Sequence, residues 1–148
     1  MDAPLPEVLA EVKAWVGRGR PPTRQHARGV LVGLGLAILD GRDGEEAEAL
    51  ARVATWIARA PEAWKAAFDS EIAMAATEHV RSADPRFLEK PEYDWAYVVD
   101  ARHRLEARLA CAEHLQVEVP EELLEAIARA DAILAPHIER MEPPSPTG

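Results

Sequence analysis

The chain is poor in cysteine and has no long apolar run. Cys111 is the one cysteine among its 148 residues, so no disulfide forms within the chain, as is usual for proteins of reducing compartments. The longest apolar stretch, residues 30–39, is well short of the roughly 20 residues that a helix needs to span a bilayer. The acidic N-terminal stretch also differs from a secretory leader. We therefore expect a cytoplasmic protein without a membrane span.

Aromatic residues are scarce as well, at 5% of the chain, and no stretch of six residues alternates cleanly between apolar and polar side chains. β-Strands are therefore poorly supported. Alanine, leucine and glutamate dominate instead, and these residues favour helices because they lose little side-chain freedom there. We predict an all-α protein, a single compact bundle of five to six mostly antiparallel helices over residues 1–141, with a disordered proline-rich tail over 142–148.

Apolar residues that recur every three or four positions, bounded by proline and glycine, place the predicted helices. Thr23 is suited to cap the second of them. Within that helix Gly29, Gly33 and Ala37 share one face, which predicts the close approach of a neighbouring helix. Pro136 is expected to kink the last helix or to split off its final turn. The predicted helices cover residues 5–16, 24–39, 45–60, 61–80, 92–115 and 120–141.

No complete nucleotide-binding or catalytic motif is present. The segment GLGLA, residues 33–37, contains G-x-G, but no strand is predicted before it, and the chain has no G-x-x-x-x-G-K-[ST] sequence. No nucleophile, base and oxyanion-binding loop form a recognisable set. Cys111 is expected to pack between helices as an unreactive thiol. We therefore expect a non-catalytic protein that needs no cofactor.

Charge is distributed unevenly along the chain. Residues 13–42 carry six basic side chains and one acidic side chain, whereas the whole chain has a net charge of −9. An acidic surface disfavours general nucleic-acid binding and suits a basic partner. The leading interpretation is a protein that binds a macromolecule, as an adaptor, an inhibitor or a toxin-neutralising protein does, with homo-oligomerisation left open.

The segment PEYDWAYVVD, residues 91–100, is the candidate contact surface for such a partner. It combines Tyr93 and Trp95 with the acidic residues Glu92 and Asp94 at the start of a predicted helix. Tyrosine and tryptophan are enriched at binding hot spots. The competing interpretation is that these rings close the end of the bundle.

A second hypothesis, from a different class, is an enzyme or a metal- or ligand-binding bundle with its site between the predicted helices over 61–80 and 92–115. Asp100 and His103 lie three residues apart and share one helix face, as carboxylate and imidazole ligands of a metal do. The full set of candidate ligands or acid–base groups is Glu71, Glu78, His79, Asp100 and His103.

A third hypothesis concerns the arginine cluster of Arg18, Arg20, Arg24 and Arg28, which lies before and in the first turns of the predicted helix over 24–39. Guanidinium groups beside a helix start favour phosphate or a nucleic-acid backbone. The competing interpretation is that these arginines pair with carboxylates of their own bundle.

Overall fold

The computed structural model describes residues 10, 14, 22–41, 45–59, 61–90 and 92–141. These residues contain six helices and no strand, which confirms the prediction of an all-α fold. Apart from Ala10 and Ala14, the first predicted helix (5–16) lies outside the described residues, as does the predicted disordered tail (142–148). The helices are α1 (Arg24–Leu39), α2 (Glu45–Arg59), α3 (Pro61–Ser82), α4 (Pro85–Leu88), α5 (Trp95–His114) and α6 (Glu121–Met141).

Helix α1 begins where a threonine satisfies its first free backbone groups. As predicted, Thr23 is the N-cap, and its hydroxyl accepts a hydrogen bond from the backbone N–H of His26 at 3.2 Å. The His26 ring accepts from the Thr23 backbone N–H in return, so a capping box closes the first turn. The second half of α1 is apolar on almost every side and largely buried, because α3 and α5 both pack against it.

The backbones of α1 and α5 come very close to each other at Gly35. A Cβ atom built on Gly35 would overlap the backbone carbonyl of Ala107, so only glycine lets the two helix backbones come this near. Close approach of a neighbouring helix was predicted for the face of Gly29, Gly33 and Ala37, which does not include Gly35. The contact of Gly35 with α5 was therefore not predicted, and close approach at the predicted face stays a prediction.

The main core lies between α1, α2, α3 and α5. Trp64 and Phe68 are fully buried on α3, with their ring centroids 5.5 Å apart. They pack in one cluster with Leu31 and Leu34 of α1 and with Cys111 of α5. Burying side chains of this size contributes roughly 1.5–3 kcal/mol each to stability, so this cluster fixes how α3 and α5 are placed beside α1.

A second, smaller core lies where α4 and the start of α5 meet α6. Val98 and Leu134 are its buried centre, and Tyr93 and Trp95 pack against them. The Trp95 ring stacks on His137 of α6 with a centroid distance of 5.4 Å and an interplanar angle of 11°. The long segment between the predicted helices thus has its own packing partners on α6.

One local feature differs from the sequence-based expectation. The stretch between the predicted helices over 61–80 and 92–115 contains α4, which Asp84 caps by accepting from the backbone N–H of Arg86 at 2.9 Å. Of the two outcomes predicted at Pro136, the final turn is not split off, because α6 continues to Met141, and a kink stays a prediction. Among the described residues, no helix combines the length and the apolar character that crossing a bilayer requires.

A candidate anion site between three helices

A cleft of about 240 Å³ opens between the first half of α1, the middle of α3 and α5. Polar and charged side chains line most of it. Four of these are arginines, and they come from two of the three helices: Arg24 and Arg28 from α1, Arg104 and Arg108 from α5. This set joins two members of the predicted arginine cluster to two arginines that lie about 80 residues further along the chain.

The inner wall of the cleft is a buried ion pair. Arg108 donates from Nε and Nη2 to Oε1 of Glu71, at 3.3 and 3.0 Å. Both residues are buried, with 6% and 5% of their surface exposed. Arg108 lies three residues after Leu105 and three before Cys111, so it occupies the buried face of α5. The core therefore fixes the position of this guanidinium group.

Three further arginines stand closer to solvent. Arg24 places its Nε 3.6 Å from the second oxygen of Glu71, Oε2, so Glu71 lies between two guanidinium groups. Arg104 is half-buried and pairs with Asp100, four residues earlier on α5, at 3.1 Å. Arg28 is exposed one turn after Arg24 and lines the same cleft.

The opposite edge of the cleft is formed by Tyr97 and Glu78. The Tyr97 hydroxyl donates a hydrogen bond to Oε1 of Glu78, across α5 and α3. This bond and the negative charge of Glu78 raise the pKa of Tyr97, because both favour the protonated phenol. Tyr97 is more than half exposed, so the hydrogen bond spans an open edge rather than a packed wall.

Arginine is concentrated in the cleft although the protein as a whole is acidic. Among the described residues that line it, four are arginines and three are the carboxylates of Glu71, Glu78 and Asp100, in a chain with a net charge of −9. A concave, partly desolvated surface focuses the field of such charges more strongly than an open surface does. The described part of the cleft thus brings guanidinium groups from two helices together on one concave surface.

A second polar cluster joins α3, α5 and α6 and was only half anticipated. His79 is buried, and its Nε2 lies 2.7 Å from Oδ1 of Asp131. Arg102 donates to both oxygens of the same carboxylate, at 2.8 and 3.0 Å. Burial alone would raise the pKa of Asp131, but the hydrogen bonds from Arg102 and His79 outweigh it and lower that pKa. The sequence singled out His79 as a candidate residue. It did not identify Asp131 and Arg102, because they lie on other helices.

The proposed metal ligands are not brought together. Glu71 and Asp100 both line the arginine cleft but are paired with arginines. His79 is bound to Asp131, and His103 is exposed on α5. Within the described ranges, no group of three or more histidine, cysteine, aspartate or glutamate side chains is arranged to hold a metal ion.

The proposed partner-binding residues are mostly engaged inside the protein. The Tyr93 hydroxyl donates to the backbone oxygen of Ser82 at 2.7 Å, and its ring meets Trp95 edge to face. Asp94 caps α5 by accepting from the backbone N–H of Tyr97. Glu92 is exposed. The rings therefore help to close the bundle end, in line with the competing interpretation of this segment.

Of the predicted anion-binding residues, Arg24 and Arg28 lie in the cleft, and Arg18 and Arg20 fall outside the described residues. Sequence reasoning missed Arg104 and Arg108, and it placed Tyr97 in the candidate partner segment, residues 91–100, and not in an anion site. The signal for Arg108 was available, because a charged residue spaced three from both Leu105 and Cys111 lies on the apolar face of its helix.

Cys111 has no chemical role in the cleft. It is fully buried in the main core, and burial raises the pKa of its thiol to about 12. Since the thiolate is the reactive form, this environment keeps the side chain unreactive at neutral pH.

Comparison of the chain with protein-family models, with curated proteins and with solved structures finds no significant match.

Proposed function

We propose that this protein binds a small organic anion in the cleft between α1, α3 and α5. The observation that carries the proposal is the convergence of four arginines on one concave site in an otherwise acidic protein. Arginine presents a planar fork of N–H donors that matches a carboxylate, and such charge-assisted hydrogen bonds are about twice as strong as neutral ones.

The carboxylates that line the cleft favour a monoanion over a dianion. Glu78 and Asp100 stand beside the arginines, so a phosphate dianion would bring two negative charges near them, whereas a monocarboxylate brings one. Leaving a partly buried charge without compensation is costly. A nucleic-acid backbone is disfavoured on the same grounds, because its many phosphates would face the acidic remainder of the protein.

Binding, rather than covalent chemistry, is the proposed activity. The described residues that line the cleft include no serine, cysteine or histidine, and these are common nucleophiles or bases of covalent catalysis. Glu71 is occupied by Arg108 and Arg24. The side chains of the cleft are thus suited to hold a ligand in place.

Isothermal titration calorimetry with sodium benzoate tests the proposal. Arg28→Gln should weaken benzoate binding by roughly tenfold or more, because a hydrogen bond to a charged group contributes about 1.5–3 kcal/mol. Arg129→Gln, on α6 and outside the cleft, is the matched control and should leave the affinity unchanged. No binding by the wild type, or equal binding by Arg28→Gln, would refute the proposal.

The hypothesis of a basic macromolecular partner at Glu92, Tyr93, Asp94 and Trp95 stays a prediction, as do the cytoplasmic location and homo-oligomerisation. The geometry supports it less than anion binding, since Tyr93 and Trp95 are packed into the second core. Glu92, Asp94 and Tyr97 are among the exposed residues that this segment offers to a partner.

A further inference from the structure

A second pocket adjoins the arginine cleft. It has a volume of about 210 Å³ and an almost wholly apolar surface. Phe87 of α4, Tyr93, and Val98 of α5 form its apolar walls, and the buried His79 lies at its side. An apolar cavity of about 150 Å³ is large enough to hold benzene, so this pocket has room for a short alkyl chain or a single ring.

The two pockets are continuous at one edge. Glu78, Tyr97 and Ala101 line both of them, and the hydrogen bond from Tyr97 to Glu78 lies along the boundary. Both of these side chains are exposed. A ligand that separates them therefore breaks a solvent-exposed hydrogen bond, which contributes little to stability, and disturbs no core contact of theirs.

We infer that the anion bound by this protein is an amphipathic monocarboxylate, whose carboxylate lies among the arginines and whose apolar tail lies in the pocket of Phe87, Tyr93 and Val98. This inference rests on the proposed anion-binding function. The converging arginines of the cleft select the head group, and the apolar walls of the adjoining pocket select the tail.

A homologous series of carboxylates separates the contribution of the head group to the affinity from that of the tail. We would measure the affinities of acetate, butanoate and hexanoate by calorimetry at constant pH and ionic strength. Each buried methylene should raise the affinity by about fourfold until the pocket is filled. Phe87→Asp, which places a charge at the pocket wall, should abolish this dependence on chain length. Val99→Asp, an exposed position of α5 outside both pockets, is the control that should keep it.

A second measurement does not depend on the folding of a variant. Methyl NMR signals of Val98 should shift when hexanoate is added and stay in place when acetate is added. An affinity that rises with chain length, is flattened by Phe87→Asp and is accompanied by the Val98 shift supports the inference.

The remaining outcomes distinguish a failure of this inference from a failure of the proposed anion binding. Equal affinities across the series, with binding still sensitive to Arg28→Gln, would overturn the inference and leave anion binding intact. A rise with chain length that persists in Phe87→Asp without a Val98 shift would place the tail elsewhere and overturn it too. If none of the carboxylates binds, anion binding and the inference are both wrong.

Discussion

Arg108 of α5 and Glu71 of α3 form a hydrogen-bonded ion pair in which less than a tenth of either side chain is exposed. Burying two charges costs several kcal/mol for each ion, and their attraction roughly offsets that cost. An apolar pair of similar size would hold the helices together at least as well. Stability alone therefore does not explain the pair, whereas the proposed anion site requires a preorganised guanidinium group at its wall.

Removing one partner of this ion pair should destabilise the protein far more than replacing both partners. We expect Arg108→Met or Glu71→Leu alone to lower the free energy of unfolding by about 3–5 kcal/mol, because each leaves a buried charge without its main partner. The double variant should be less destabilised than either single variant. Urea denaturation of the four proteins measures this, and additive losses would contradict the account.

Gly35→Ala tests the contact between α1 and α5. Helix propensity alone favours alanine over glycine by about 1 kcal/mol, so the sign of the change is diagnostic. We expect a loss of several kcal/mol in unfolding free energy, because the new Cβ atom overlaps the carbonyl of Ala107. Ala128→Gly, at an exposed position of α6, measures how much helix propensity by itself changes the stability. A Gly35→Ala protein as stable as the wild type would show that the helices are not this close.

The carboxylate of Asp131 should contribute stability that acid removes. Its pKa is lowered in the folded protein, so the unfolded chain takes up its proton first as the pH falls. The contribution is complete above the unfolded value of about 4 and is lost as the pH falls through the lower, folded value. The difference in unfolding free energy between the wild type and Asp131→Asn should therefore shrink below about pH 4.

Chemical denaturation at several pH values between 3 and 7 measures this difference. Glu125→Gln, on an exposed face of the same helix, is the control and should give a small difference at every pH. A difference between the wild type and Asp131→Asn that grows toward acidic pH would reverse the sign and contradict the assigned hydrogen bonds.

Variants of Trp95 and Glu92 distinguish a role in packing from a role in partner contact. Trp95→Ala should lower the unfolding free energy by about 2 kcal/mol, since the ring loses its stacking on His137 and its contact with Tyr93. Glu92→Ala, at an exposed position, should change stability by less than about 0.5 kcal/mol. Thermal unfolding followed by circular dichroism measures both. If Trp95→Ala unfolds like the wild type, the ring is not a structural element and the partner hypothesis gains support.

The helices were predictable because their signals are local. Periodic apolar residues placed α1, α3 and α5, and Thr23, a good N-cap residue just ahead of a helical pattern, marked the start of α1. Helix α4 was missed although its signal was present, since Asp84 followed by Pro85 is an N-cap followed by the residue best suited to the first helical position.

The site was harder to predict because its parts are distant in sequence. Glu71 was predicted as a candidate ligand or acid–base group, but its partner Arg108 lies 37 residues away on another helix. The same holds for Gly35, whose importance depends on Ala107. Every residue around Gly35 in α1 is apolar, so no pattern within that helix marks the side that meets α5. Such contacts depend on how two helices pack against each other. The periodicity of a single helix does not contain this information.

The most direct test of anion binding observes the arginines themselves. In two-dimensional ¹H–¹⁵N NMR, each arginine Nε–H gives a signal that responds to a bound carboxylate. On titration with hexanoate we predict saturable shifts for the four arginines of the cleft and none for the exposed Arg129 and Arg140 of α6. Unchanged signals for Arg24, Arg28, Arg104 and Arg108, or equal shifts for all arginines, would contradict the assignment of this cleft as an anion site.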